Sequence, residues 1–196
     1  MRLGRSSSAS LLLLAGSLAP GCGDDTASSG APPSRVVAVA PNQSQRTSLA
    51  DFCDNTARNA FRWPELDGPT PAPVRRWRWV NVWATWCRPC VEEMPRLAAF
   101  RQELRGDDID VDLVFLSVDE SSEVVARFRS EHATIPESVR IADPSTLAAW
   151  VPSLGLDAGA TLPIHAFVDG TGSTRCVRTG AVGESDFDTV RSLLSH

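Results

Sequence analysis

The sequence predicts an α/β domain: a central mixed sheet flanked by helices. Three observations predict it. WRWVNVWAT (77–85) is dense in Trp and Val with no breaker, the pattern of a strand buried on both faces. Directly after it, Cys87 and Cys90 open a stretch with helical spacing. Near the C-terminus, LPIHAFVD (162–169) and TRCVRTG (174–180) flank the turn GTGS (170–173), which reads as an antiparallel hairpin.

The chain begins with an address. Arg2 and Arg5 precede SASLLLLAGSLA, an apolar run too short to span a bilayer, followed by small residues and Cys22. That is the layout of a secretory signal over residues 1–21. GDDTASSGAPP (23–33) is small, polar and Pro-rich, and residues 22–50 read as a flexible tether. RVVAVA (35–40) has strand character, but PNQSQRTS after it is loop-like. The folded domain is expected over 51–196, its ordered part starting between Leu49 and Phe61.

Within that domain, RPCVEEMPRLAAFRQELRG carries apolar residues at Val91, Met94, Leu97, Ala98 and Leu104, a helix ending at Gly106 with Pro95 inside it. VDLVFLSVD (111–119) is a second buried strand. SSEVVARFRSEH (121–132) is a helix capped by Ser121 or Ser122. Between Ala133 and Gly159 the pattern weakens. VRIAD reads as a short strand, and PSTLAAWVPSLG as a short helix ended by Pro152. After the hairpin, ESDFDTVRSLLSH is a closing amphipathic helix with Glu184 or Ser185 near its start. The order is strand, helix, strand, helix, helical insertion, strand, strand, helix. This is the thioredoxin arrangement, with the CxxC at the first strand-to-helix turn.

Two cysteines at i and i+3 at a helix start bring their Cα atoms within disulfide range. Cys87 there meets unpaired N–H groups and the positive end of the helix dipole, which favour its thiolate and make it the attacking thiol. Cys90, one turn in, is the expected resolver. Arg88 adds a positive charge nearby. Glu92 reads as a solvent-facing first-turn acid. Glu93, one turn beyond Cys90, either is a second such acid or points inward, where a buried carboxylate would oppose thiolate formation and relay a proton to or from Cys90.

VNVWATWCRPCVEEMP resembles the active-site signature of the TlpA/ResA-type thiol–disulfide oxidoreductases, membrane-anchored extracytoplasmic members of the thioredoxin superfamily. The resemblance takes in FRWPELDG (61–68), the strand and turn that precede the core, then LVFLSVDES, TLPIHAFVD and the terminal helix, about Phe61 to Leu194. It implies Cys87 and Cys90 as the redox pair, Pro89 as its central proline and Glu93 as a buried active-site acid. It also implies Pro163 as a cis-proline opposite the dithiol, before which Leu162 presents backbone to a substrate peptide. Trp86, Arg88, Pro89 and Leu162 form the expected substrate-facing set. Arg88 stands where Gly or Glu is commoner, so no redox potential is carried over. His165 stands where a small hydroxyl residue is usual, either as a satisfied core histidine or as part of a proton relay.

LAPGC resembles the lipobox of bacterial lipoproteins, with Ala19 and Pro20 as departures, and implies lipidation of Cys22. Ordinary cleavage and a retained anchor are the other outcomes. Removal of residues 1–21 takes the formal charge from −5 to about −7, because Arg2 and Arg5 leave and no acid does. With Cys22 acylated, Cys53 and Cys176 remain. In an oxidising compartment they either form a structural disulfide or stay as separate thiols.

The resemblance thus implies an extracytoplasmic enzyme, lipid-anchored to a bacterial membrane and needing no cofactor. It would reduce disulfides in exported proteins, as in cytochrome c or copper-site maturation, and draw electrons from a membrane donor of thiol-reductase type. All nineteen basic residues are Arg, the net charge is negative and no basic patch stands out, which argues against nucleic acid as a partner. There is no CxxCH for haem, and His132, His165 and His196 do not fall at zinc-finger spacing. Two readings compete: a Cu(I) metallochaperone using the CxxC, and a thiol peroxidase, although peroxidases use a Pro/Thr-rich loop rather than WCxxC. The anchor is directly testable. Cys22→Ala is expected to move the protein from the membrane to the soluble fraction, and unchanged membrane association would exclude an acyl anchor there.

Overall fold

The fold is that of a computed structural model, which describes residues 48–196. The signal segment, Cys22, most of the tether and RVVAVA lie outside the described residues. Strand β1 (Trp77–Trp83) forms the middle of a five-stranded sheet and is buried along its length except at half-buried Trp77. On one side it runs parallel to β2 (Val111–Ser117), which pairs in parallel with β3 (Ser138–Arg140). On the other side β4 (Ile164–Val168) is antiparallel to β1 and hairpin-paired with β5 (Thr174–Thr179). The mixed sheet is the one the sequence predicts.

A charge inside such a strand must be paired. Arg78 is buried near the start of β1, where the parallel register sets it beside Asp112, and its guanidinium donates to Asp112 Oδ2 and to the Ala72 carbonyl.

Helix α2 (Arg88–Gly106) lays Cys90, Glu93, Met94, Leu97, Phe100 and Leu104 against the sheet, one stripe at helical period. The stripe is turned from the expected one: Val91 is only half-buried and Ala98 is exposed, while Phe100 and Glu93 face inward. Phe100 then stacks edge-on with Phe187 of the closing helix α5 (Phe187–Leu194), centroids 4.9 Å apart. Helix α3 (Ser122–Glu131) is capped by Ser121, whose hydroxyl accepts the Val124 N–H.

Two readings are corrected. The α-helical part of the insertion stops at Trp150, ahead of Pro152, but the helical run does not end there. A 3-10 turn (Pro144–Thr146), α4 (Leu147–Trp150) and a second 3-10 turn (Val151–Leu154) run through it to Gly155. Pro152 sits in the opening positions of that second turn, where its missing N–H costs nothing. Gly155 stops the run with φ +76°, and a Cβ there would come within 2.0 Å of Asn55 Nδ2, which donates to the Leu154 carbonyl. Nor does FRWPELDG form a strand. It carries a single bridge, Leu66 opposite Ile141, and a second, Ala60 opposite Ser173, lies just before it.

The N-terminal segment is held at the β5 edge. A short helix α1 (Leu49–Phe52) leads to Cys53, which is joined to Cys176 in β5 with Cα atoms 5.4 Å apart. Asn55 bridges Val177, and the Arg178 guanidinium lies 4.6 Å over the Phe52 ring. The disulfide closes a loop of 123 residues. Such a crosslink restricts the unfolded chain by about 4–5 kcal/mol on an entropy model, with measured losses on removal of roughly 2–5 kcal/mol. The double variant Cys53→Ala/Cys176→Ala is therefore expected to unfold at clearly lower denaturant concentration, and an unchanged midpoint would contradict a stabilising role.

Candidate active site

The site lies where β1 hands over to α2. The strand ends at Trp83, Thr85 and Trp86 turn, and Cys87 takes the N-cap of a nineteen-residue helix, its N–H donating to the Ala84 carbonyl at 3.0 Å. Cys87 makes no side-chain cap hydrogen bond, and its place at the N-cap sets it at the positive end of the helix dipole. Pro89 occupies an opening helical position, where no N–H is required. Cys87 and Cys90 form a disulfide with Cα atoms 5.3 Å apart. Of the two, Cys87 is the more accessible, at 5% exposure, while Cys90 is fully enclosed. Trp86, 69% exposed, lays a large apolar ring open beside them.

The turn before the dithiol is fixed by a residue the sequence reading missed. Asp119, just past β2, is buried, and its carboxylate accepts the Thr85 N–H at 3.1 Å and the Thr85 hydroxyl at 2.7 Å. Ser117 Oγ donates to the same carboxylate at 2.8 Å. Its only sequence signal is an Asp directly after a buried strand.

Arg88 and Glu92 are both exposed and pair with each other, Nε to Oε1 at 2.6 Å. The hydrogen bond to Glu92, with its charge, lifts the Arg88 guanidinium above its ordinary range. The Arg88 charge next to Cys87 is thus already matched by a carboxylate.

Glu93 is wholly buried. Asn81 Nδ2 donates to its Oε1 at 2.8 Å, and the Val182 N–H donates to Oε2 at 2.8 Å. His165, in β4 directly opposite Asn81, brings Nε2 to 3.4 Å from Oε2. Its Nδ1 receives the Trp79 indole N–H at 3.1 Å. Glu93 follows Cys90 by one turn on the same helix face, so carboxylate and dithiol share one buried stripe. Trp79 and Val182 lie outside the quoted signature; pairing of β1 with β4 sets Trp79 and Asn81 beside His165, and the segment after β5 brings Val182.

The Leu162–Pro163 bond is cis. Pro163 directly precedes β4, and Ile164 pairs with Val82, so Pro163 stands at the same sheet end as the dithiol. Its carbonyl accepts the Gly180 N–H at 2.9 Å. Among the described residues no group of three or more His, Cys, Asp and Glu side chains is gathered as a metal site. Nor is any helix among them long and apolar enough to cross a membrane.

No family model matches the chain, and no curated protein matches it. Solved structures do. A thioredoxin-related protein from Neisseria meningitidis serogroup B is 25% identical, covering 64% of this chain and 87% of its own, with a TM-score of 0.51. A putative thiol:disulfide interchange protein DsbE from Chlorobium tepidum is 18% identical over 74% of this chain and 96% of its own, with a TM-score of 0.50. The fold is thioredoxin-like.

A buried carboxylate one turn from Cys90 opposes a second negative charge at the dithiol. Glu93→Gln removes that charge with little change of shape. The pH midpoint of Cys87 alkylation in the reduced protein is expected to fall by on the order of one unit. Superimposable profiles for the two proteins would show that Glu93 does not act on the thiols.

Proposed function

We propose that this thioredoxin-like chain is a thiol–disulfide oxidoreductase that reduces disulfides in exported proteins through Cys87 and Cys90. One observation carries the reading: a closed CxxC disulfide at the start of a long helix, with the outer sulfur at the cap position beside an open tryptophan. A structural staple needs neither feature.

In the reduced protein the helix N-terminus favours the Cys87 thiolate. It attacks one sulfur of a substrate disulfide. The S–S bond breaks, one substrate sulfur leaves as thiolate, and Cys87 carries the other as a mixed disulfide. Cys90 then gives up its proton and attacks Cys87 Sγ, which releases the second substrate thiolate and closes Cys87–Cys90. Two electrons pass from protein to substrate, and the two thiol protons end on the substrate sulfurs. In this reading Glu93, one turn from Cys90, takes up the Cys90 proton in passing and hands it on. Trp86, Arg88, Pro89 and the backbone at Leu162, ahead of Pro163, form the surface that takes the substrate segment.

Reopening the disulfide requires an external dithiol, in keeping with a membrane-bound donor of thiol-reductase type. Residues 1–21 as a signal and Cys22 as the acylated first residue of the mature chain would hold the domain on the extracytoplasmic side of the membrane. Cytochrome c and copper-site maturation are the substrate classes this placement suits.

The reading is tested by trapping. Cys90→Ser cannot resolve the mixed disulfide, so in the exporting cell it should accumulate covalent adducts through Cys87 that reductant releases, while the wild-type protein reduces a disulfide-bonded protein such as insulin. Absence of adducts together with absence of insulin reduction would refute it. Stoichiometric Cu(I) on the reduced protein without reductase activity would replace it with the metallochaperone reading.

A further inference from the structure

His165 has no place in the exchange steps above, yet it is fully buried against the Glu93 carboxylate. Its two ring nitrogens face unlike partners. Nδ1 receives the Trp79 indole N–H at 3.1 Å, and Asn81 Nδ2 lies 3.4 Å from the same nitrogen. An indole nitrogen only donates, so Nδ1 must offer a lone pair. A neutral imidazole has a single N–H, and the neighbours therefore put it on Nε2. Nε2 has no hydrogen-bond partner of its own and stands 3.4 Å from Glu93 Oε2.

The surroundings of Glu93 match this. Asn81 and the Val182 N–H both donate to it, and Nε2–H adds a third donor at longer range. A protonated Glu93 would need an acceptor, and each of these three groups presents a hydrogen instead. Turning the Asn81 amide over would set its oxygen against both the carboxylate and the Nδ1 lone pair. Nearby cations are engaged elsewhere. Arg178, opposite His165 in β5, reaches the Phe52 carbonyl and Asp186, and Arg96 donates to the Val182 carbonyl. The Glu93 charge is thus met by N–H dipoles rather than by a guanidinium.

We infer that His165 is a positioning residue: neutral, protonated on Nε2, and holding Glu93 as a carboxylate toward the dithiol instead of taking the proton itself. The inference deepens the oxidoreductase reading and rests on it. Charging the imidazole would require a hydrogen on Nδ1, pointed at the indole N–H 3.1 Å away. Without the ring, Glu93 keeps two donors, and a proton settles on it more readily. The charge opposing the thiolate then fades.

Two measurements on the full-length protein test this. In protein carrying 15N-labelled histidine, with His165 assigned by its loss in His165→Gln, the oxidised form should show Nδ1 bare and Nε2 protonated. A protonated Nδ1 overturns the inference, whatever the alkylation profiles show. In the reduced protein, His165→Leu should lower the midpoint of Cys87 alkylation by about half the shift of Glu93→Gln, itself on the order of one unit. His165→Gln, which keeps an N–H for Glu93 and an oxygen for Trp79, should restore it. A Leu profile that superimposes on wild type, or equal shifts in Leu and Gln, overturns it. A wild-type protein inactive toward insulin would instead sink the function and leave the tautomer result standing.

Discussion

A carboxylate with no contact to solvent has to be met by donors, and the donors that meet Glu93 come from separate parts of the fold. Asn81 comes from the central strand, His165 from the antiparallel strand beside it, and the Val182 N–H from the segment before the closing helix. A helix rotated or shifted along the sheet would leave that carboxylate unpaired, at several kcal/mol for an isolated buried charge. The polar cluster therefore fixes which face of α2 is inward, and Cys90 lies on that face. The same constraint explains why the buried stripe runs through Glu93 and Phe100 while Ala98 is left outside.

A second carboxylate acts on the other side of the dithiol. Asp119 ties Thr85 to the end of β2, so the turn that delivers Trp86 and Cys87 is anchored to a neighbouring strand. The two cysteines thus sit between a turn held by one buried acid and a helical turn backed by another. The acids differ in kind. Asp119 is satisfied largely by groups within the turn and strand it joins, and its role is geometric. Glu93 accepts from an amide and a backbone N–H, with a ring nitrogen 3.4 Å away, and stands close to sulfur chemistry that creates and removes negative charge.

The fold was legible where its signals are local. The Trp/Val run, the helical spacing after Cys87 and the hairpin around GTGS each sit within one stretch of chain, and each stands in the structure close to where the pattern places it. The insertion was misread at Pro152 because proline stops a helix in its interior but is neutral in the opening positions of a 3-10 turn. FRWPELDG was misread because an extended segment with a single bridge looks in sequence like a short strand. Around the site, Cys87, Cys90 and Glu93 could be singled out because they share one helix. Asn81, Trp79 and His165 become neighbours only through the pairing of β1 with β4, some 84 residues away in sequence, and no spacing rule exposes that. The pairing of Cys53 with Cys176 was open for the same reason, since nothing in either flank names the other.

The central claim is that a buried carboxylate senses the state of the Cys87–Cys90 pair. Redox-difference infrared spectroscopy of the full-length protein tests this most directly, because it records only the groups that change when the disulfide opens. A carboxylate stretching band should appear in the difference spectrum and vanish in Glu93→Gln, with the thiol bands retained. A difference spectrum without carboxylate bands, or with bands that the substitution leaves in place, would contradict the account.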